Sequence, residues 1–262
     1  MNRAILLLFV FLIFFTLERV LPQMDNSNRS KKHDGTNIKL GIINTVLGRL
    51  IAVFTVYTAA SFAERNTIGL FNMVQWNKNT VLISEILILD LINYTWHRLL
   101  HNINFLRRFH NVHHTDRFLN STSALRFHII EIFFGNLFKL IPLIILGLSA
   151  EAVLLYEIIL NSNIYFHHSN IRIPIKLDLM LSKVIVTPYL HRIHHSIKYK
   201  ESNSNYSSFL IIWDKIFKSF TKQGEISTPK YGIPGYNEEW SQKFYFLLKQ
   251  PFLNIDTKSS QK

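Results

Sequence analysis

The chain has 262 residues, a formal net charge of +12, 48% hydrophobic and 13% aromatic residues, and no cysteine. Without cysteine there are no disulfides, thiolate metal sites or cysteine nucleophiles, so any metal must be held by nitrogen and oxygen. The apolar residues come in long runs, as in membrane proteins, and the positive charge is spread over the loops beside them; it suits anionic lipid, and no aromatic-basic motif points to nucleic acid.

In chain order, the first run is Ala4 to Leu17, followed by Glu18, Arg19, Val20, Leu21 and Pro22. No small-x-small cleavage site follows, so the run reads as a retained, slightly short membrane anchor. Residues 23–39 are polar and read as a loop in which His33 is a solvated loop histidine. Gly41 to Ala63 is apolar apart from Arg49, which must turn into the protein or lie in the interface. Val81 to Leu100 is the next membrane segment, and Glu85, Asp90 and His97 on it should face a functional cavity.

Residues 107–126 are polar and basic, hence outside the bilayer. Two apolar segments, Ile129 to Leu148 and Ala150 to Phe166, follow as a helical hairpin, with Pro142 expected to kink the first. No segment beyond Ser169 is long enough to span, and Asp256 to Lys262 reads as a disordered tail. Thr187 and Pro188 form a helix start just ahead of His191. Lys and Arg are frequent in the loop at 18–39 and around the histidines, and sparse at 64–80 and at the hairpin tip. Five spans with the N-terminus outside fit this distribution, or four if the Arg49 segment does not cross; five place every histidine group on the cytoplasmic side.

The histidines carry the chemistry. His97 and His101 are spaced i, i+4; His110 aligns with His113 and His114; His191 aligns with His194 and His195; and His167 and His168 lie between these groups. On helices each spacing puts its imidazoles on one face. Together they offer more nitrogens than one tetrahedral ion requires, which argues for two ions. Imidazole suits zinc, copper, iron and nickel alike, so ligand type does not select the metal. His128, between a basic loop and an apolar run, reads as a ligand or as a group that orients one. A zinc peptidase would need a glutamate where Arg98 stands, bis-histidine haem needs far fewer imidazoles, and no G-x-S-x-G motif is present.

The order H-R-L-L-H at His97, F-H-N-V-H-H-T-D at Phe109, S-A-L-R-F-H at Ser123, F-H-H-S-N-I at Phe166, T-P-Y-L-H-R-I-H-H-S at Thr187 and N-Y-S-S-F-L-I-I-W-D-K-I-F at Asn205 resembles the fatty acid hydroxylase superfamily, also called the sterol desaturase family. The resemblance runs from about Asp90 to Phe220. It implies an integral-membrane di-metal oxygenase with two irons, taking dioxygen and electrons from a separate redox partner to hydroxylate or desaturate a fatty acyl, sterol or related lipid. The implied ligands are His97, His101, His110, His113, His114, His191, His194 and His195, with His167 or His168 completing the set. Asp90, Asn205 and Asp214 match positions that orient ligands or pack the site. Ser207 and Ser208, and also Lys218, stand where relatives often have glycine.

The sequence thus predicts an all-α integral-membrane helical bundle of four or five spans with a cytoplasmic histidine-rich helical cap. Its expected parts are an N-terminal anchor region at 1–80, a fatty acid hydroxylase-like catalytic domain at 81–222 and a C-terminal tail at 223–262. The rival reading, a divalent metal transporter or sensor, would need polar ligands midway through several spans, whereas these groups sit at helix ends.

Overall fold

The computed structural model describes residues 3–25, 31–221, 230–236 and 238–253. Among them every regular element is helical, and extended pairing is limited to isolated bridges such as Pro22 with Ile171 and Ile185 with Leu210. The long helices are α1 (Arg3–Val20), α2 (Lys31–Ala52), α5 (Lys78–Asn102), α7 (Ile129–Leu146) and α8 (Ala150–His168). A π-helical turn, Val53–Tyr57, joins α2 to α3 (Thr58–Arg65), and α4 (Leu70–Met73) follows. Shorter helices build the rest: α6 (Asn104–His114), α9 (Ile175–Leu181), α10 (Pro188–His194), α11 (Tyr199–Ser202), α12 (Ile212–Ile216) and α13 (Phe244–Lys249).

Among the described residues, two helical stretches are long and apolar enough to cross a membrane, Lys32–Met73 and Ile129–Leu146. The other segments predicted to span are also helical: α1 lies along α8 through Phe11 on Tyr165 and Phe14 on Phe166. Val56, Ala60, Leu89, Leu143, Leu148, Ala152 and Tyr156 form the apolar core of the bundle.

The hairpin of α7 and α8 is built as the sequence predicts. Gly147 ends α7 in the left-handed region at φ +70°, and Ser149 caps α8 by accepting from the Ala152 amide. Glu85 of α5 accepts from both the amide and the hydroxyl of Ser149, at 2.7 and 2.8 Å. That fixes the hairpin tip at one end of the bundle and carries the start of α7 and the end of α8 to the other.

Two expectations need correction, and one alternative is decided. Residues 31–39 are not loop but the first turns of α2, and His33 is buried rather than solvated. Its Nε2 meets Asp116 Oδ1 at 2.6 Å, and Asn37, one turn on, donates to Asp116 and Thr122. Tertiary hydrogen bonds thus override a polar composition that favours loop. Burial alone would raise Asp116, but the His33 and Arg126 charges outweigh it and hold the carboxyl far below its ordinary range. Of the two readings of Arg49, turning into the protein falls away, because the residue is exposed on the outer surface. Residues 230–253 do not trail away: Leu247 of α13 is fully buried with Leu40 and Val112. The predicted tail at Asp256–Lys262 lies outside the described residues.

Candidate metal centre

Four helix segments deliver the histidines to the end of the bundle opposite the hairpin tip. His97 and His101 come from the last turns of α5; His110, His113 and His114 from α6; His167 and His168 from the end of α8; and His191, His194 and His195 from α10 and the residue capping it. All ten are buried. Val186, Leu190, Ile193 and Ile211 form a separate apolar cluster that seats α10.

The imidazoles sort into two groups in which one ring nitrogen per residue lies within 4.8 Å of all the others: His97, His101, His110, His114 and His194, and beside it His113, His168, His191 and His195. The groups adjoin, since the rings of His114 and His195 stack with centroids 4.5 Å apart. His167 belongs to neither group; its Nδ1 meets the Asn163 amide and its ring lies 4.0 Å from that of His191.

Hydrogen bonding fixes which nitrogen is free. His97 Nδ1 donates to Tyr206 O at 2.6 Å, His113 Nδ1 to Arg126 O at 3.2 Å, His168 Nδ1 to Ile164 O at 2.9 Å and His194 Nδ1 to Ser204 O at 2.8 Å. A carbonyl can only accept, so each of these Nδ1 atoms carries the proton and each neutral ring turns an Nε2 lone pair inward. The lone pairs converge: His113 Nε2 lies 3.0 Å from His168 Nε2 and His97 Nε2 lies 3.1 Å from His110 Nε2. His194 Nε2 and both nitrogens of His101 are buried without a hydrogen-bond partner. Two acceptors facing each other repel unless a cation lies between them. Nitrogens bound tetrahedrally at about 2.0–2.1 Å from one ion stand about 3.3 Å apart, close to the separations seen here. The residues present therefore fit a metal in each group.

Electrostatics agree. Burial first, then neighbouring imidazoles, push His113, His114, His191 and His195 well below the ordinary histidine value, and burial brings His194 down to about 3. Neutral imidazole is the form that ligates.

One loop orients histidines from two helices. Ser204 O holds His194 of α10, and Tyr206 O holds His97 of α5. Asn205 between them adopts a left-handed φ of +52° and accepts from the Thr221 amide at 2.9 Å. Asp214 accepts from the amides of Tyr206 and Ser207 and from the Ser219 hydroxyl, at 2.8, 2.9 and 2.7 Å. Asp90 accepts from Tyr156 Oη, Trp213 Nε1 and the Leu210 amide, tying α5 to α8 and to the same loop. These three residues hold the loop and do not reach the groups.

His128 stands outside both groups, contrary to the ligand reading. It caps α7, with Nδ1 accepting from the Ile130 amide and Nε2 donating to Leu248 O, both at 3.2 Å. Sequence reading missed Glu131, whose Oε1 meets His110 Nδ1 at 2.9 Å while Oε2 has no partner. Its signal was a carboxylate in the first turn of an apolar helix. Also missed was Arg126, fully buried, with Nε donating to Val112 O and Nη2 to Thr115 and Gln242, so that its own carbonyl is positioned for His113.

Two adjoining buried imidazole groups, each able to hold a metal ion, in a helical protein with apolar helices are the features of a histidine-box protein. The chain belongs to the fatty acid hydroxylase family, which it matches over residues 82–219. It is 32% identical over 179 residues to the ornithine lipid hydroxylase OlsE of Rhizobium tropici, an alignment covering 68% of this chain and 52% of that protein. It is 30% identical over 177 residues to the alkylglycerol monooxygenase of Danio rerio, covering 64% and 37%, and 31% identical over 161 residues to that of Homo sapiens, covering 60% and 34%. The chain thus aligns with about half or less of these relatives' length. No solved structure matches it.

Proposed function

We propose that the chain is a membrane-bound di-iron oxygenase that hydroxylates a lipid, using dioxygen and electrons from a separate redox protein. The observation that carries this reading is the convergence of imidazole nitrogens in two adjoining groups, with the Nδ1 protons of His97, His113, His168 and His194 held outward by backbone carbonyls. His97, His101, His110, His114 and His194 would hold one iron; His113, His168, His191 and His195 would hold the other. When bound, iron supplies activation of dioxygen against an unactivated carbon-hydrogen bond.

The protein's own contribution is to exclude water from the groups, to fix the ring tautomers and to bring the lipid chain to the end of the bundle. Hydroxylation is favoured over desaturation because the relatives are named hydroxylase and monooxygenase. Ornithine lipids and alkylglycerols share a polar head and a long chain, so a polar lipid with a long acyl or alkyl chain is the expected substrate class. The lysines and arginines around the histidine groups favour the cytoplasmic side. The transporter or sensor reading gains no support from relatives that are oxygenases by name.

The test is to grow cells making the chain, or its His194→Ala variant, under labelled dioxygen and to compare total lipids by mass spectrometry. The reading expects one labelled oxygen in a lipid that the variant does not form. An unchanged lipid profile alongside metal uptake would overturn it.

A further inference from the structure

Helices α9 and α12 expose apolar side chains at the histidine end of the molecule. Ile175, Leu179, Met180 and Val184 are 46–60% exposed, and Ile212 and Ile216 are 48% and 55% exposed. The two short helices form one surface: the Ile211 amide donates to Val184 O, Lys215 Nζ donates to Lys183 O, and Ile185 bridges to Leu210. The inner side is polar and tied to the metal-bearing helix, because buried Asp178 accepts from Thr187 Oγ1 at 2.9 Å, and Thr187 caps α10.

The charge around this surface has one sign. Arg172, Lys176, Lys183, Lys215 and Lys218 are exposed, while Asp178 and Asp214, the only acids in residues 171–184 and 210–221, are buried. At seven residues, α9 is about 10 Å long and cannot span a bilayer. It begins just after Ile171, which pairs with Pro22 at the foot of α1, so the patch continues the apolar outer face of the bundle. Exposed isoleucine, leucine and methionine ringed by lysine are what an in-plane membrane contact requires: apolar groups for the acyl boundary and cations for anionic headgroups.

We propose that α9 and α12 lie in the headgroup-acyl boundary of an anionic leaflet and seat α10, with its histidines, against the membrane surface. This rests on the reading of the chain as a membrane protein. The sequence contains no cysteine, so a single introduced one carries a unique label. Nitroxides are attached to Met180→Cys, Ile216→Cys, Ile141→Cys on the outer face of α7, and Lys200→Cys on the exposed side of α11. The full chain is reconstituted in vesicles of phosphatidylcholine with phosphatidylglycerol, and collision with oxygen is compared with collision with a water-soluble nickel chelate.

The expected result is a high oxygen-to-nickel ratio at positions 180 and 216, approaching that at 141 and well above that at 200, and falling when phosphatidylglycerol is omitted. A low ratio at 180 and 216 beside a high one at 141 overturns the proposal and leaves the membrane reading standing. Exclusion of both reagents at 180 and 216 means a protein covers the patch and also overturns it. A low ratio at 141 overturns the membrane reading itself.

Discussion

His113 and His128 are fifteen residues apart in a histidine-rich stretch, yet their hydrogen bonds assign them different work. His113 turns Nε2 into one of the two imidazole groups, whereas both nitrogens of His128 are occupied by Ile130 and Leu248. Replacing His113 with Ala should remove metal, while His128→Ala should cost about 1 kcal/mol of stability and leave metal content unchanged, as metal analysis and thermal unfolding would show. Glu131→Ala should weaken metal binding by about 10–100-fold, measured by chelator competition, because His110 loses the carboxylate that orients it. The sign of the pH dependence follows from the depressed histidines. The folded protein binds their protons less readily than the unfolded chain, so their stabilisation is complete above the ordinary value of 6.5 and is lost as pH falls below it, toward about 3 for His194. Metal release should follow the same direction, visible as metal lost on dialysis from pH 7 toward 4. The i, i+3 and i, i+4 spacings made the grouping of histidines legible. They did not reveal that His168 and not His167 joins a group, nor that His33 meets Asp116, because those facts depend on contacts 55 and 83 residues apart in the chain.

Among the elements, the apolar runs announced α1, α5, α7 and α8, and Thr187 with Pro188 announced α10. The start of α2 was hidden because its polar residues face Asp116, Asn120 and Thr122 instead of water. The loop at 204–206 was equally hidden: its work is done by carbonyls, which every residue carries. Gly147 sets the shape of the hairpin tip that Glu85 and Ser149 hold in place. Its φ of +70° is left-handed, and a Cβ there would sit 2.5 Å from Ile68 O. Gly147→Ala should therefore lower stability by more than about 1 kcal/mol, read as a reduced thermal midpoint in detergent, while the distant histidine groups keep their metal.

At the scale of the whole molecule, the bundle sets Glu85 and Ser149 against each other at one end and thereby holds α7 and α8 so that Glu131 and His168 arrive together at the other. The sequence shows enough of this to name the family, because the motifs occur in order; the closure that makes two groups out of four helix ends is a property of packing. Two adjoining groups should bind two ions, and the metal stoichiometry of the purified chain reads this out. The chain, purified from cells grown with iron, should hold two irons per molecule, with one lost in His194→Ala and one lost in His168→Ala. A single metal per chain, or full occupancy in both variants, would mean that the two groups are not separate metal sites.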